Sequence, residues 1–214
     1  MTEEILTIYD AFNRPKGTAS RLEIHSKGLW HRSVNFIVLD LKKRTVIFQD
    51  SNTLDTYNSE KFFVKMNGGH VHGENMLQEA GRELDEELGL KIDKADYVHF
   101  LGIYQISFEP TNEFVNREFM YFYITSFSDA FEKIDMDGNE VKSVFEINID
   151  EAVDLLLGER NDTRVIARDV VGKQLTLNFT KQSFKNFTDD SLYLRLFLAS
   201  QDLCNGRNKK HIVI

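Results

Sequence analysis

Residues 68–90 read GGHVHGENMLQEAGRELDEELGL. Five carboxylates, Glu79, Glu83, Asp85, Glu86 and Glu87, fall within nine residues, and Arg82 is the only cation among them. On a helix, positions three and four apart are surface neighbours, so Glu83, Glu86 and Glu87 share a face. Like charges at those spacings destabilise a helix by roughly 0.2–0.5 kcal/mol per pair. A fold seldom keeps such a cluster without a cation to occupy it, and hard divalent ions such as Mg2+ take carboxylate oxygens. The residues by themselves point to a metal site.

The glycines and spacings sharpen this. Gly68 is followed after five residues by Glu74 and after seven more by Arg82-Glu83-Leu84-Asp85-Glu86-Glu87-Leu88-Gly89-Leu90. Seven of these positions require one residue type each. At about 6% usage per type, chance agreement is on the order of 10⁻⁶ or less. The pattern resembles the Nudix box at every defining position, including the apolar slots at Leu84 and Leu90.

That resemblance implies an α/β fold: a Nudix α/β/α sandwich with a mixed β-sheet. Residues 1–160 would form the hydrolase domain. Residues 161–214 would be a C-terminal extension packed on the same domain, a short hairpin plus a terminal helix. It also implies a hydrolase acting on a small-molecule diphosphate, such as a nucleoside diphosphate linked to another group, with Mg2+ or Mn2+ as cofactor. The physics agrees, because metal ions bridge a diphosphate and carboxylates that would otherwise repel and lower the pKa of a bound water.

By resemblance, Glu86 and Glu87 are metal ligands, and the Gly68 carbonyl reaches a metal. Glu83 is either a further ligand or the base that orients the attacking water. Arg82 fixes a glutamate by a bidentate pair. Glu74 holds the loop onto the helix, and close packing on the sheet would explain Gly81 within the helix. A glutamate outside the box often completes such a site; Glu118, opening a strand after a polar loop, is the candidate, with Glu113 and Glu140 as alternatives.

A narrower resemblance lies in residues 21–40, RLEIHSKGLWHRSVNFIVLD. It is similar to the N-terminal part of the isopentenyl-diphosphate isomerases within the same superfamily, which place histidines like His25 and His31 beside a second divalent metal. Those isomerases carry a catalytic cysteine where this chain has Asn67, a histidine where it has Gly69, and paired downstream glutamates where it has Asn116 and Glu118. The chain therefore resembles the isomerase-like hydrolase branch. His25 and His31 are candidates for metal or phosphate contact, against ordinary core or surface hydrogen bonding. Arg32 is a candidate phosphate holder, against a surface salt bridge. His70 and His72, in the loop facing the metals, are candidate substrate contacts. Trp30 reads as core, and Cys204 as inert. The rival functions are an isomerase and a non-catalytic nucleotide-sensing domain. Such sensors tend to erode the box and carry a DNA-binding helix pair.

Composition sets the outer bounds. The 214 residues suit one sizeable domain, and 42% hydrophobic and 28% charged residues are ordinary for a globular protein with a real core. A net charge of −8 speaks against nucleic acid or an acidic membrane as partner, since both need a basic face. One cysteine excludes an internal disulfide, no apolar run approaches a membrane span, and MTEEILTIYD does not read as a signal peptide. A cytoplasmic protein is expected. The resemblance allows a homodimer, although no interface is legible.

Along the chain, strands are expected at residues 4–10, 34–39, 45–49, 62–66, 97–108, 118–127 and 141–149, with the middle of residues 34–39 buried on both faces. Polar loops are expected at residues 50–60 and 109–117, and a turn at residues 13–17. Asp150 reads as the N-cap of a helix through Leu157, ended by Gly158. Leu175, Leu177 and Phe179 alternate as a strand after a turn at Gly172-Lys173, and residues 190–203 read as a buried terminal helix.

Overall fold

Val34 to Leu39 are apolar at nearly every position, and neighbouring residues serve two different cores. Phe36 and Val38 point to one side of the sheet, and Ile37 and Leu39 point to the other. All are buried, which is the pattern of a strand covered on both faces. This strand, β3 (Trp30–Asp40), is the hub of the molecule. The computed structural model describes residues 4–51, 54, 65–111, 114–184 and 191–207.

Ten strands make one mixed sheet among the described residues. The others are β1 (Ile5–Tyr9), β2 (Pro15–Ser20), β4 (Thr45–Asp50), β5 (Asn67–His70), β6 (Tyr97–Thr111), β7 (Phe114–Ser126), β8 (Ser143–Asn148), β9 (Asp162–Asp169) and β10 (Gln174–Thr180). Along one edge β3 pairs antiparallel with β5 through Ser33↔His70 to Phe36↔Asn67, then with β4 through Val38↔Ile47. Along its other edge it runs parallel to β7 from Trp30↔Arg117 to Leu39↔Ser126. From β4 the order continues through β8 and β9 to β10.

Five helices cover this sheet among the described residues: α1 (Arg21–Lys27), α2 (Met76–Leu88), α3 (Ala130–Lys133), α4 (Ile149–Leu157) and α5 (Ser191–Cys204). Met76, Ala80, Leu84 and Leu88 of α2 join Phe36, Val38 and Phe131 in one core. Leu155 and Leu156 of α4 and Leu192, Leu196 and Phe197 of α5 join Ile37, Leu39 and Phe145 in the other. The layers are thus α/β/α. A third, small cluster of Leu6, Ala19 and Ile24 fixes α1 onto the β1–β2 hairpin.

Several expectations change in detail. The N-cap of α4 is Asn148, whose side chain accepts from the Glu151 N–H at 3.1 Å. Asp150 lies in the first turn and instead takes a two-pronged contact from Arg44, at 2.8 Å to each oxygen. Gly158 ends the helix with φ +84°, as its lack of a Cβ favours. The polar segment 109–117 is largely strand, because β6 and β7 continue their pairing to Thr111↔Phe114. Pro15 to Gly17 belong to β2 rather than to a turn, and residues 21–27 are helix. Most of the loop at 50–60 and of the strand expected at 62–66 lies outside the described residues. No described helix is long and apolar enough to cross a membrane.

Leu84 is fully buried between α2 and the sheet. Its replacement, Leu84→Ala, is expected to lower the unfolding free energy by about 2–5 kcal/mol, read by urea denaturation.

Candidate active site

Helix α2 begins where the Asn75 side chain accepts from the Gln78 N–H, and it ends at Gly89 with φ +64°. Its apolar residues face the core, and two carboxylates go down with them. Glu83 is 8% exposed and Glu87 is 6% exposed, while Glu86 stays at the surface. The shared acidic face is therefore split, with Glu83 and Glu87 turned toward β5 and Glu86 at the rim. A buried carboxylate is expensive to ionise, and burial is the leading cause that raises both groups, Glu87 to about 8.

Each buried carboxylate is held by protein donors. Glu87 accepts from the Gly68 N–H and from the Gln49 side-chain amide, both at 2.8 Å. Glu83 accepts from Arg82 at 2.5 Å. Arg82 also reaches Glu86 at 2.7 Å, Glu79 at 3.1 Å and the His70 carbonyl at 3.3 Å. One guanidinium thus bridges three carboxylates, where a single bidentate pair had been expected.

The glycines of β5 make this close approach possible. At Gly69 an added Cβ would lie 2.5 Å from a Glu83 oxygen. At Gly68, φ is +132° and an added Cβ would lie 2.1 Å from the Val34 carbonyl oxygen, so only glycine is free of strain there. The next residue back, Asn67, is fully buried and donates to the Phe36 and Ile47 carbonyls at 3.3 and 2.9 Å. Its side chain ties β5 to β3 and β4.

These groups border a cavity of about 500 Å³ lined by Gly68, Gly69, Arg82, Glu83, Glu86 and Glu118, with Ser33 and Asn35 of β3 also contributing. Glu140, from the loop before β8, lines it too. Glu140 also lines an adjoining recess of about 260 Å³ together with Glu86 and Glu87.

Sheet register assembles a second group, which reaches this cavity through His70 and Glu118. His70 lies opposite Ser33, His31 is two residues earlier on β3, and Glu118 lies opposite His31 on β7. Helix α1 adds His25, stacked on Phe114 at 4.4 Å. A ring nitrogen of each of His25, His31 and His70 lies within 4.8 Å of the others. The His25 Nδ1 and His31 Nε2 atoms are buried with no partner among the described residues. Burial first, then neighbouring cations, holds His25 below its usual range and His70 down at about 3. Both are neutral at pH 7, the form that ligates metals. Imidazole nitrogens suit Zn, Cu, Fe and Ni, and box carboxylates suit Mg and Mn.

Arg32 goes elsewhere. Its guanidinium bonds to the Asn13 side chain and carbonyl at 2.7 and 3.0 Å and lies 3.9 Å from the Tyr9 ring centroid. The structure does not bring it to the cavity. His72 sits at the cavity rim, 3.5 Å from Glu4, which also approaches Arg21 and His70. Glu118 accepts from Asn116 at 2.9 Å. Glu74 is exposed, and the loop tie expected of Glu74 is made instead by Glu79, which accepts from the His72 N–H at 3.2 Å. Gly81 packs on Ile92 rather than on the sheet. Trp30 stacks on Phe119 at 4.7 Å, and Glu113 lies outside the described residues. Sequence reading missed Gln49 in β4 and Glu4 just before β1, since a lone glutamine or glutamate carries no spacing signal.

Residues 29–170 match the NUDIX domain family. The chain is 33% identical over 153 residues to an uncharacterised Nudix hydrolase of Clostridium acetobutylicum, covering 71% of this chain and 73% of that protein. It is 30% identical over 121 residues to an isopentenyl-diphosphate Delta-isomerase of Photorhabdus laumondii, covering 54% of this chain and 67% of the isomerase. A solved structure from Deinococcus radiodurans aligns over 72% of this chain and 89% of its own, with 19% identity and a TM-score of 0.49.

In the metal-free protein, Glu87 keeps its proton up to about pH 8, whereas the same group in the unfolded chain releases it near 4.5. The folded state then binds more protons across that window, so stability contributed by this group falls as pH rises from 4.5 to 8. Urea unfolding in EDTA at a series of pH values is expected to show that decline, and Glu87→Gln is expected to flatten it.

Proposed function

We propose that this chain, which belongs to the Nudix family and is a Nudix hydrolase, cleaves a diphosphate linkage in a nucleoside diphosphate derivative or a related small molecule. Water attacks at phosphorus, and the reaction depends on Mg2+ or Mn2+. The observation that carries this reading is the set of glutamates Glu83, Glu86, Glu87 and Glu140, which border two recesses that share Glu86 and Glu140, two of the four being buried at desolvation cost. Buried carboxylates in such a set are the donors that hard divalent ions take.

Glu83, Glu86 and Glu87, with the Gly68 carbonyl, would hold the metal. A bound divalent ion supplies charge neutralisation and an acidified water. The chain's own part is positioning. Glu83, fixed by Arg82, orients the attacking water or adds a ligand, and Arg82 keeps three carboxylates close despite their repulsion. His70, His72 and Arg21 line the same cavity and offer hydrogen bonds to a substrate phosphate. His25, His31 and His70 form a second donor set, which we read as a further cation position, with Glu118 opposite His31 on β7.

Isomerase chemistry is the alternative reading. Against it stand Asn67, whose amide is committed to backbone carbonyls, and Gly69, where a side chain would have to displace the end of Glu83. Isopentenyl diphosphate incubated with Mg2+ is expected to give no isomer; isomerised product without phosphate release would overturn the choice.

A panel of nucleoside di- and triphosphates, nucleotide sugars and dinucleotides, assayed with Mg2+ and Mn2+, is expected to yield hydrolysis of at least one member. Glu87→Gln is expected to remove most of that activity, and its retention would sink the metal-ligand assignment. Gly69→Ala displaces the end of Glu83 without touching backbone; the rate is expected to fall by up to about 100-fold, with the thermal melt unchanged.

A further inference from the structure

We infer that Gln49 is a positioning residue of this hydrolase, fixing the plane of the Glu87 carboxylate from the neighbouring strand so that its remaining lone pairs face the cation. The inference rests on the metal-ligand reading of Glu87 given above.

Gln49 is the fifth residue of β4 and is 6% exposed. Its backbone is committed on both sides. It lies opposite Val144 on β8, and it exchanges hydrogen bonds with Lys65, at 3.4 and 3.3 Å. The main chain therefore gives the side chain a fixed base.

Its amide nitrogen has two N–H groups, and each has an acceptor. One goes to a Glu87 oxygen at 2.8 Å, and the other goes to the Met66 carbonyl at 3.2 Å. Turning the amide over would set its oxygen against both acceptors, so the surrounding network assigns this orientation. The other Glu87 oxygen takes the Gly68 N–H at 2.8 Å. Gly68 is itself pressed against the Val34 carbonyl.

Two donors from two different strands thus hold two atoms of one rigid carboxylate. Ionised carboxylate oxygens have about four lone-pair sites between them. Two are used by Gln49 and Gly68, and two are left for a ligand. A neutral donor does not cancel a buried charge, so the pair is incomplete as a purely structural device. Orientation toward a cation is the role that the arrangement serves. Partners that orient a ligand in this way typically contribute 10–100-fold to metal affinity.

The test is Mn2+ titration of wild type, Gln49→Met and Glu87→Gln, followed by the spectroscopic signal of free Mn2+, with metal-free melting curves beside it. Gln49→Met keeps the volume and removes the donor. It is expected to bind Mn2+ about 10–100-fold more weakly and to need correspondingly more Mn2+ for half-maximal hydrolysis. At saturating Mn2+ the substrate KM is expected to stay near wild type. Gln49→Asn, which keeps the amide but withdraws it by one methylene, gives the same readout if the methionine variant does not fold. Wild-type Mn2+ affinity in the Gln49 variant, with Glu87→Gln impaired, overturns this inference alone. Wild-type affinity in Glu87→Gln overturns the metal-ligand reading of Glu87 and this inference with it.

Discussion

Two carboxylates buried against a glycine strand set the terms for the rest of this protein. Glu83 and Glu87 leave water because they sit on the side of α2 that carries Ala80, Leu84 and Leu88 into the core. The apolar contact that docks the helix therefore also desolvates the acids. Each ionised group would cost several kcal/mol if left without compensation. The compensation in the chain itself is incomplete: Arg82 for Glu83, and two neutral donors for Glu87. On the function proposed above, a cation would complete that compensation.

The sheet decides what else reaches that site. Strand β3 pairs with β5 and β4 along one edge and with β7 along the other, so residues far apart in sequence meet at its N-terminal half. His70 comes from the box loop, Glu118 from β7 and His31 from β3 itself. The β1–β2 hairpin carries α1 and with it His25. The imidazole set thus meets the cavity through His70 while differing from the carboxylate set in donor chemistry, nitrogen against oxygen. Gly69 and His70, adjacent in β5, join the two.

Much of this was legible in the chain because it is local. The box fixes loop, helix and cap through glycines and carboxylates only a few residues apart, and β3 announces itself through a continuous apolar run. What depended on distant partners was not legible. Asp150 and Asn148 are both good caps, but Asn148 caps the helix while Arg44 and Gln201 hold the Asp150 side chain. Segment 109–117 reads as a polar loop, and the strand character of its described residues comes from pairing between β6 and β7. Arg32 reads as a free cation in sequence, but Asn13, Tyr9 and Tyr121 enclose it. Gln49 has no spacing signal, because its partner Glu87 is 38 residues away.

The sequence alone determined the family pattern and the helix that carries the acids, and it suggested the chemical class of ligand proposed for them. Those follow from residue type and short-range spacing. Which acids are buried, which donors hold them, and which histidines meet were decided only by the tertiary structure. Burial and long-range hydrogen bonds depend on how β4, β5 and β7 line up against β3, and no local pattern encodes that alignment.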